Sequence, residues 1–362
     1  MEYKNPKLIL DSSKIEAGQL RWRSPSNIAL VKYWGKYGQQ QPRNPSISLT
    51  LSQAATDTTL SYSPKKSDKD IDLAFYFAGE LRPDFAEKVE KYFRSLLAVF
   101  PFLGQMHLRI ETNNSFPHSA GIASSASAMS ALALILCDME RQFFETLSDE
   151  NEFLQKVSYL SRLGSGSACR SVYPYVAIWG DSASIPNASN QYAIPYAEEI
   201  DPIFHTYHDD ILIISRAEKS VSSRAGHQLM ENNLYAENRY QQARQRLTRL
   251  VDAMRDGDLE TFGKITESEA LTLHALMMTS NPPYLLMEPN SDAAIRKVQT
   301  YRADTGHPLY FTLDAGPNLH LLYPDNVAEP IKQFIRTELT PLCQDCLYIA
   351  DRCGAGPEKI DS

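Results

Sequence analysis

Residues 113–130 read Asn-Asn-Ser-Phe-Pro-His-Ser-Ala-Gly-Ile-Ala-Ser-Ser-Ala-Ser-Ala-Met-Ser, a loop of small residues between two segments of regular pattern. The alternation from His107 to Thr112 before the loop predicts a strand, and the apolar stripe that begins at Met129 predicts a helix. Small residues let a polyanion approach the backbone, and a helix start presents free N–H groups at the positive end of its dipole. The stretch therefore predicts a cradle for nucleotide phosphates.

The predicted phosphate cradle offers backbone N–H groups and two hydroxyls that can reach phosphate oxygens or a hydrated magnesium ion. Its candidate residues are Ala120, Gly121, Ala123, Ser124 and Ser125. The chain contains no Gly-x4-Gly-Lys-Ser/Thr sequence, which excludes a Walker loop. Taken alone, the same small residues fit close packing of a helix equally well.

Length, charge and hydropathy bound the function. The 362 residues suggest one large domain or two subdomains, and the net charge of −8 without a basic run disfavours nucleic-acid binding. No apolar run approaches the roughly 20 residues that cross a bilayer, and the N-terminus lacks a signal-peptide core. We expect a cytoplasmic protein that binds neither nucleic acid nor membrane.

The chain has five cysteines, an odd count that argues against a disulfide framework in a cytosolic protein. Cys343 and Cys346 have the spacing of zinc ligands, but no second pair accompanies them. Free thiols are the better interpretation, and no metal site is predicted.

Periodicity predicts an α+β fold, because the strands come in antiparallel-looking groups and the helices in blocks. Strands are predicted at 59–63, 72–77, 107–112, 176–179, 211–215, 309–313, 319–323 and 347–350. Helical stripes are predicted over 85–100, 129–136, 153–160, 234–254, 259–278 and 292–301. The polar, proline-containing stretch 182–210 resembles a connection, so we expect two halves, residues 1–200 and 201–362.

Two segments of the first half combine cations with small or hydroxyl residues. An apolar strand from Ile28 delivers Lys32, Tyr33 and Lys36 into a turn, where they suit a phosphate or diphosphate. The alternative is a surface lysine pair beside core aromatics. The segment 162–171 presents Arg170, which can hold a carboxylate in a two-pronged way, although a plain helix-capping turn is equally consistent.

Two segments of the second half carry similar chemistry. Ser223 and its neighbours, between Lys219 and Arg224, form a hydroxyl-and-cation loop after a strand. Asp314 lies at a predicted strand end before Ala-Gly-Pro, where a carboxylate can act as a general base. A turn-forming role is the commoner one for an isolated Asp-Ala-Gly.

Together these motifs resemble the diphosphomevalonate decarboxylases of the GHMP kinase superfamily, from about Ser24 to Pro357. The matching pieces are Asn27-Ile-Ala-x-x-Lys-Tyr-Trp-Gly-Lys36, Pro42-x-Asn-x-Ser-x-Ser48, Asn114-x-Phe-Pro-x-x-Ala-Gly-x-Ala-Ser-Ser-Ala126, Gly164-Ser-Gly-Ser-Ala-Cys-Arg-Ser171, Val221-Ser-Ser223, Thr312-x-Asp-Ala-Gly-Pro-Asn318 and Gly354-Ala-Gly-Pro357.

The resemblance implies the GHMP kinase fold, with an N-terminal ribosomal-protein-S5-like half, a C-terminal ferredoxin-like half and a cleft between them. It implies ATP and Mg²⁺ as cofactors and mevalonate diphosphate as substrate, in the mevalonate pathway of isoprenoid biosynthesis. ATP would phosphorylate the 3-hydroxyl, and loss of that phosphate with CO2 would yield isopentenyl diphosphate. A homodimer is also expected.

The resemblance also implies roles for individual residues. Asp314 would orient or deprotonate the 3-hydroxyl, Lys32 would balance charge beside it, and Arg170 would hold the substrate carboxylate. Further substrate-binding positions are Tyr33, Lys36, Ser165, Ser167 and Ser223, and the phosphate cradle would bind ATP.

One expected feature has no clear position, and two other functions compete. The family's basic side chain for the substrate diphosphate could be Arg82 or Lys88. The nearest rival function is a kinase of the same superfamily that phosphorylates mevalonate or a mevalonate phosphate without decarboxylation. A non-catalytic ligand-binding relative is the second rival.

Overall fold

The computed structural model describes residues 3–117, 122–217 and 220–361. Its strands are β1 Gly18–Val31, β2 Lys36–Tyr37, β3 Gln41–Pro42, β4 Ser46–Pro64, β5 Asp72–Phe77, β6 Glu80–Leu81, β7 Met106–Asn114, β8 Val176–Trp179, β9 Ala193–Pro195, β10 His208–Leu212, β11 Tyr310–Thr312, β12 Leu319–Tyr323, β13 Tyr348–Ile349 and β14 Glu358–Lys359. Its α-helices are α1 Pro83–Ser95, α2 Ser124–Phe144, α3 Glu150–Gly164, α4 Ser223–Leu229, α5 Ala236–Asp256, α6 Leu259–Met278, α7 Pro289–Thr305 and α8 Ala328–Phe334. None of the helices in these ranges is both long and apolar enough to cross a bilayer.

Within the described ranges the strands form two main sheets. The larger has the order β14-β1-β4-β7-β5-β6, and β8 and β9 extend it from β4. The smaller has the order β11-β12-β10-β13, and all its pairs are antiparallel. The α+β class is therefore confirmed. The expectation of antiparallel strands was wrong at β5, which pairs in parallel with β7 because α1 and the turn after it connect the two strands.

The two long strands of the larger sheet were predicted only in part. β1 begins ten residues before the apolar run at Ile28, and its pairing with β4 shifts register between Pro25 and Asn27. Pro25 has no N–H to donate to the neighbouring strand, and the polar residues beside it interrupt the alternation of apolar side chains. The first part of β1 is therefore not recognisable from periodicity. On the β4 side, Asp351 accepts the N–H groups of Ser52, Gln53 and Ala54 at 2.7–2.9 Å. A carboxylate near the C-terminal end of the sequence thus supplies hydrogen-bond acceptors for backbone N–H groups at the register shift.

The C-terminal segment returns to the larger sheet. Gly354 donates to Thr50 O and accepts from Tyr175 N, each at 2.8 Å. A Cβ at this position would lie 2.3 Å from Leu51 O, so only glycine allows the approach. β14 then pairs with β1.

Sequence periodicity located other elements well. β5, β8, β12 and α6 have the predicted bounds. The stripe predicted to continue to Phe100 ends as a helix at Ser95, and Leu96 and Phe100 pack in the turn that follows. α4 and α8 were not predicted, since each has only seven residues. The stretch 182–210 contains β9, which pairs with β8, and the boundary near residue 200 stays a prediction.

Candidate active site

A cleft of about 790 Å³ brings together most of the residues selected from the sequence. It lies among the end of β1, α1, the start of α2, the loop after α3, α4 and the loop after β11. The predicted site residues that line it are Asp314, Lys32, Arg170, Tyr33, Lys36, Ser165, Ser167, Ser223, Ala123 and Ser125. Ala120 and Gly121 lie outside the described residues. Of the described ones, Ser124 opens α2 without lining the cleft.

The centre of the cleft is an ion pair between residues 282 positions apart. Lys32 Nζ lies 2.9 Å from Asp314 Oδ1, and the side-chain exposures are 2% for Lys32 and 28% for Asp314. Burial lowers the pKa of the Lys32 ammonium, while the negative charges of Asp314, Glu269 and Asp209 oppose that fall. The aspartate thus faces the cleft while the lysine is shielded behind it.

Arg170 lies in the same cleft on a platform of neutral groups. Its Nε donates to Ser48 Oγ at 3.0 Å and to Asn27 Oδ1 at 3.3 Å, and Nη1 donates to Ser46 Oγ at 2.5 Å. The residue is 2% exposed, and among the described residues it has no carboxylate within 4 Å. Burial lowers the pKa of its guanidinium, but an arginine stays charged. The described side chains that bond Arg170 are thus all neutral, and the negative charge of Asp314 acts on it from a longer distance.

The turn after Lys32 carries two predicted substrate ligands. Tyr33 packs edge-on against Trp179 with ring centroids 4.7 Å apart, and its hydroxyl is buried with no hydrogen-bond partner among the described residues. Lys36 Nζ donates to Gln40 Oε1 at 2.9 Å, and burial lowers its pKa with a further contribution from the charge of Arg224. Both side chains present groups that an anionic ligand can satisfy.

His227 holds this turn and was not predicted. Its Nδ1 accepts the Gly35 N–H at 3.0 Å, and its ring lies 4.3 Å from that of Tyr33 and 4.6 Å from that of Trp34. Burial lowers its pKa to about 3, with a smaller contribution from Lys36. A neutral imidazole thus joins α4 to the segment that carries Tyr33 and Lys36.

The phosphate cradle and the serine loop after α3 meet directly. Ser125 Oγ lies 3.2 Å from Ser165 Oγ, and Ser167 lines the cleft one residue beyond Gly166. Ala123 has a left-handed backbone, with φ of 47°, immediately before α2. The two hydroxyl-bearing loops thus form one wall of the cleft.

The open side of the cleft is basic. Lys88 and Lys91 of α1 and Arg224 of α4 line it together with Lys36. Arg82 instead pairs with Asp84 at 2.8 Å and caps the start of α1. Of the two alternatives for a diphosphate-facing cation, the geometry thus favours Lys88.

The described residues contain no group of three or more histidine, cysteine, aspartate or glutamate side chains that could hold a metal ion. All five cysteines are free thiols, including Cys343 and Cys346. A metal in this cleft would therefore have to be held mainly by ligand phosphates and hydroxyl groups.

Several residues of the site escaped the sequence analysis. Ser46 and Ser48 belong to one of the matching motifs, but their alternation with apolar residues fits an ordinary half-buried strand equally well and could not show that Arg170 would lie on them. Glu269 of α6 accepts the Lys32 N–H at 2.9 Å and pairs with Arg239 at 2.6 Å. An acidic residue inside an amphipathic helix normally faces solvent, so the pattern gave no signal for this burial.

Two family models match most of the chain. Residues 24–191 match the diphosphomevalonate decarboxylase-like N-terminal domain, and residues 210–352 match the mevalonate 5-diphosphate decarboxylase C-terminal domain.

Named relatives agree with these matches. The chain is 31% identical to diphosphomevalonate decarboxylase of Gibberella zeae, over 85% of this chain and 81% of that one. It is 30% identical to the enzyme of Candida albicans, over 83% of each.

Solved structures share the fold. Mevalonate diphosphate decarboxylase from Staphylococcus aureus superposes with a TM-score of 0.80 at 29% identity, covering 96% of this chain and 99% of that one. A complex of MDDEF with MVAPP, AMPPCP and magnesium gives a TM-score of 0.79 at 28% identity, covering 96% and 100%. The fold is thus the GHMP kinase fold expected from the sequence, and the chain belongs to the diphosphomevalonate decarboxylase family.

Proposed function

We propose that this chain catalyses the ATP-dependent decarboxylation of mevalonate diphosphate to isopentenyl diphosphate, ADP, phosphate and CO2. The observation that carries the proposal is Arg170, a buried guanidinium whose described partners are all neutral. A buried charge whose direct partners are all neutral is costly, and a bound carboxylate would lower that cost through charge-assisted hydrogen bonds. A kinase whose alcohol substrate has no carboxylate has no use for such a clamp, whereas a kinase of mevalonate or a mevalonate phosphate is separated by the release of CO2.

The Lys32–Asp314 pair supports phosphorylation of the 3-hydroxyl. Asp314 faces the cleft and can accept the hydroxyl proton as the new O–P bond forms and ADP departs. A tertiary alcohol is too weak an acid to lose its proton first, so the transfer occurs late in a loose transition state. Lys32, 2.9 Å from the carboxylate, balances charge as the phosphoryl group arrives.

The second step breaks two bonds of the phosphorylated substrate. The 3-phosphate leaves with the C–O electron pair, the bond to the carboxylate carbon breaks, and its electrons form the new double bond. Because Arg170 stabilises the carboxylate before CO2 loss, its role is positioning, and phosphate departure drives the step. Tyr33, Lys36, Ser165, Ser167 and Ser223 would hold the remainder of the substrate. The Tyr33 hydroxyl, which is buried and has no hydrogen-bond partner among the residues that the structure describes, supports this assignment.

ATP would bind with its phosphates at the start of α2, against the cradle residues Ala120, Gly121, Ala123, Ser124 and Ser125. The hydroxyls of Ser124 and Ser125 fit Mg²⁺, which keeps several waters and is usually bound through substrate phosphates. When bound, the ion would neutralise phosphate charge. Lys36, Lys88, Lys91 and Arg224 line the open side, where they would meet the substrate diphosphate.

We also propose the wider organisation expected from the sequence, with halves 1–200 and 201–362, a homodimer, and a cytoplasmic location. The free thiols are consistent with a reducing compartment. Sedimentation of the purified chain would test the dimer.

An assay of products tests the function. Purified protein is given ATP, Mg²⁺ and either mevalonate monophosphate or mevalonate diphosphate, and CO2 and ADP are counted. One CO2 per ADP with the diphosphate is expected. ADP without CO2 would identify a kinase of the same superfamily, and ATP binding without turnover on either compound would identify a ligand-binding relative.

A further inference from the structure

Helix α6 contacts the main chain of both members of the central ion pair. Glu269, fully buried on α6, accepts the Lys32 N–H through Oε2 at 2.9 Å. His274, five residues further along, bonds Asp314 O through Nε2 at 3.1 Å. Since a carbonyl oxygen can only accept, His274 is the donor in this contact. One rigid helix therefore fixes the backbone on either side of the Lys32–Asp314 contact.

Side chains bind both main-chain polar groups of Lys32 and form a clamp around this residue. Arg239 of α5 donates to both oxygens of Glu269, at 2.6 and 2.8 Å, and also to Lys32 O at 3.1 Å. Asn44 donates to the same carbonyl at 3.0 Å. The Lys32 N–H and C=O are thus both held by side chains, at a point where β1 has ended and no strand partner is available from the described ladder.

The clamp is expensive as a purely stabilising device. Arg239 and Glu269 are 1% and 0% exposed, and such a pair is often matched in stability by apolar side chains of similar volume. Apolar residues could not hold an N–H and a C=O at fixed positions. The Arg239–Glu269 pair therefore fixes the position of the Lys32 main chain rather than adding stability.

We propose that α6 is the alignment element of the reaction centre, with Glu269 and His274 as positioning residues that set the distance between Lys32 and Asp314. The inference rests on the proposed function. Neither residue lines the cleft, so neither is expected to contribute to substrate or nucleotide binding. Their effect should appear in turnover, because a displacement of about 1 Å in a catalytic group can cost roughly 100-fold in rate.

Two substitutions at His274 test the contact with Asp314. His274→Leu removes the donor at similar volume, whereas His274→Gln retains a terminal N–H donor. We expect His274→Leu to lower kcat by about 10- to 100-fold with both KM values within about threefold of wild type. His274→Gln should recover most of that loss. Leu271→Ala, at an exposed position of the same helix, is the matched control and should be neutral.

Glu269→Gln tests the contact with Lys32 through charge. Among the described residues, the negative charges of Asp314 after β11, Glu269 on α6 and Asp209 on β10 act on the Lys32 ammonium. Two cations of α5, Arg239 and Arg246, pair with Glu269. Removing the Glu269 charge takes away one of the groups that oppose the fall in the Lys32 pKa. The basic limb of the kcat profile should therefore move to lower pH. A residue that only stabilised the fold would leave that limb in place.

The outcomes separate the inference from the proposed function. If wild-type protein released no CO2 in the product assay, the proposed function would be wrong. An active wild type with unchanged kcat in His274→Leu, or with a kcat of His274→Gln no higher than that of His274→Leu, would overturn the alignment role. So would a change in KM alone, or a Glu269→Gln profile that superposes on wild type. Thermal unfolding is recorded for each variant, and if one fails to fold the other decides.

Discussion

Arg170 and Lys32 are both buried cations of one cleft, but their surroundings differ in kind. Arg170 lies on hydroxyl and amide groups from neighbouring strands β1 and β4. Lys32 is contacted by carboxylates from residues 237 and 282 positions away, on α6 and after β11. The first cation is oriented by neutral groups and feels Asp314 only at longer range, whereas the second bonds that carboxylate directly.

This difference in surroundings indicates which kind of partner each cation binds. A guanidinium whose direct partners are neutral can still form charge-assisted hydrogen bonds to an incoming anion, so its surroundings suit a substrate carboxylate. An ammonium that already faces a carboxylate gains little from a second anion. It is better suited to hold that carboxylate in place and to balance charge as a phosphoryl group arrives.

Removing the carboxylate of Asp314 should lower turnover more than any other substitution. A small effect would contradict the contrast drawn between Lys32 and Arg170. Asp314→Asn keeps the shape but cannot take a proton, so turnover should fall by about 10³-fold or more. ATP affinity should stay near wild type, because the change spares the nucleotide site. Steady-state kinetics and nucleotide titration measure both, with Asp304→Asn, on the exposed face of α7, as control. Turnover within tenfold of wild type would remove Asp314 from its assigned role.

Replacing Arg170 tests the other cation. Arg170→Lys keeps the charge but cannot copy a planar, two-pronged grip, so kcat/KM for mevalonate diphosphate should fall by about 100-fold. The KM for ATP should change little. Arg249→Lys, an exposed substitution on α5, is the matched control. A near-normal value for Arg170→Lys would mean that this residue does not hold the carboxylate.

The smallest expected effect concerns His227 and the dependence of the free energy of unfolding on pH. Like Arg170, His227 is a buried nitrogen-containing side chain, but burial and, to a smaller extent, the charge of Lys36 lower its pKa to about 3, so it is neutral. The unfolded chain binds that proton near pH 6.5, and stability should therefore fall as pH drops from 6.5 toward 3.

His227→Asn keeps an acceptor for the Gly35 N–H and does not titrate. The free energy of unfolding of wild type should fall relative to this variant by about 1.4 kcal/mol per pH unit below pH 6. Urea unfolding between pH 7 and 5 measures the difference. Parallel pH profiles for the two proteins would contradict a proton-free His227 in the folded state.

Local pattern predicted much of the fold. The bounds of β5, β8, β12 and α6 follow from alternation or helical stripes, because each has one clear apolar face. β1 and β4 were recognised only in part, since the register shift near Pro25 and the buried polar residues interrupt the pattern. Parallel pairing of β5 with β7 was missed, as strand direction depends on the connection and not on the strand itself.

Lys32, Arg170 and Asp314 each lie in a distinctive motif, so the residue types that could do the chemistry can be read from the amino-acid sequence. Which charged side chain pairs with which depends on the folded chain. Glu269 and His274 lie in an ordinary amphipathic helix, and Ser46 and Ser48 in an ordinary alternating strand. Their partners are distant in sequence, and a pairing made across such distances leaves no periodic signal in either segment.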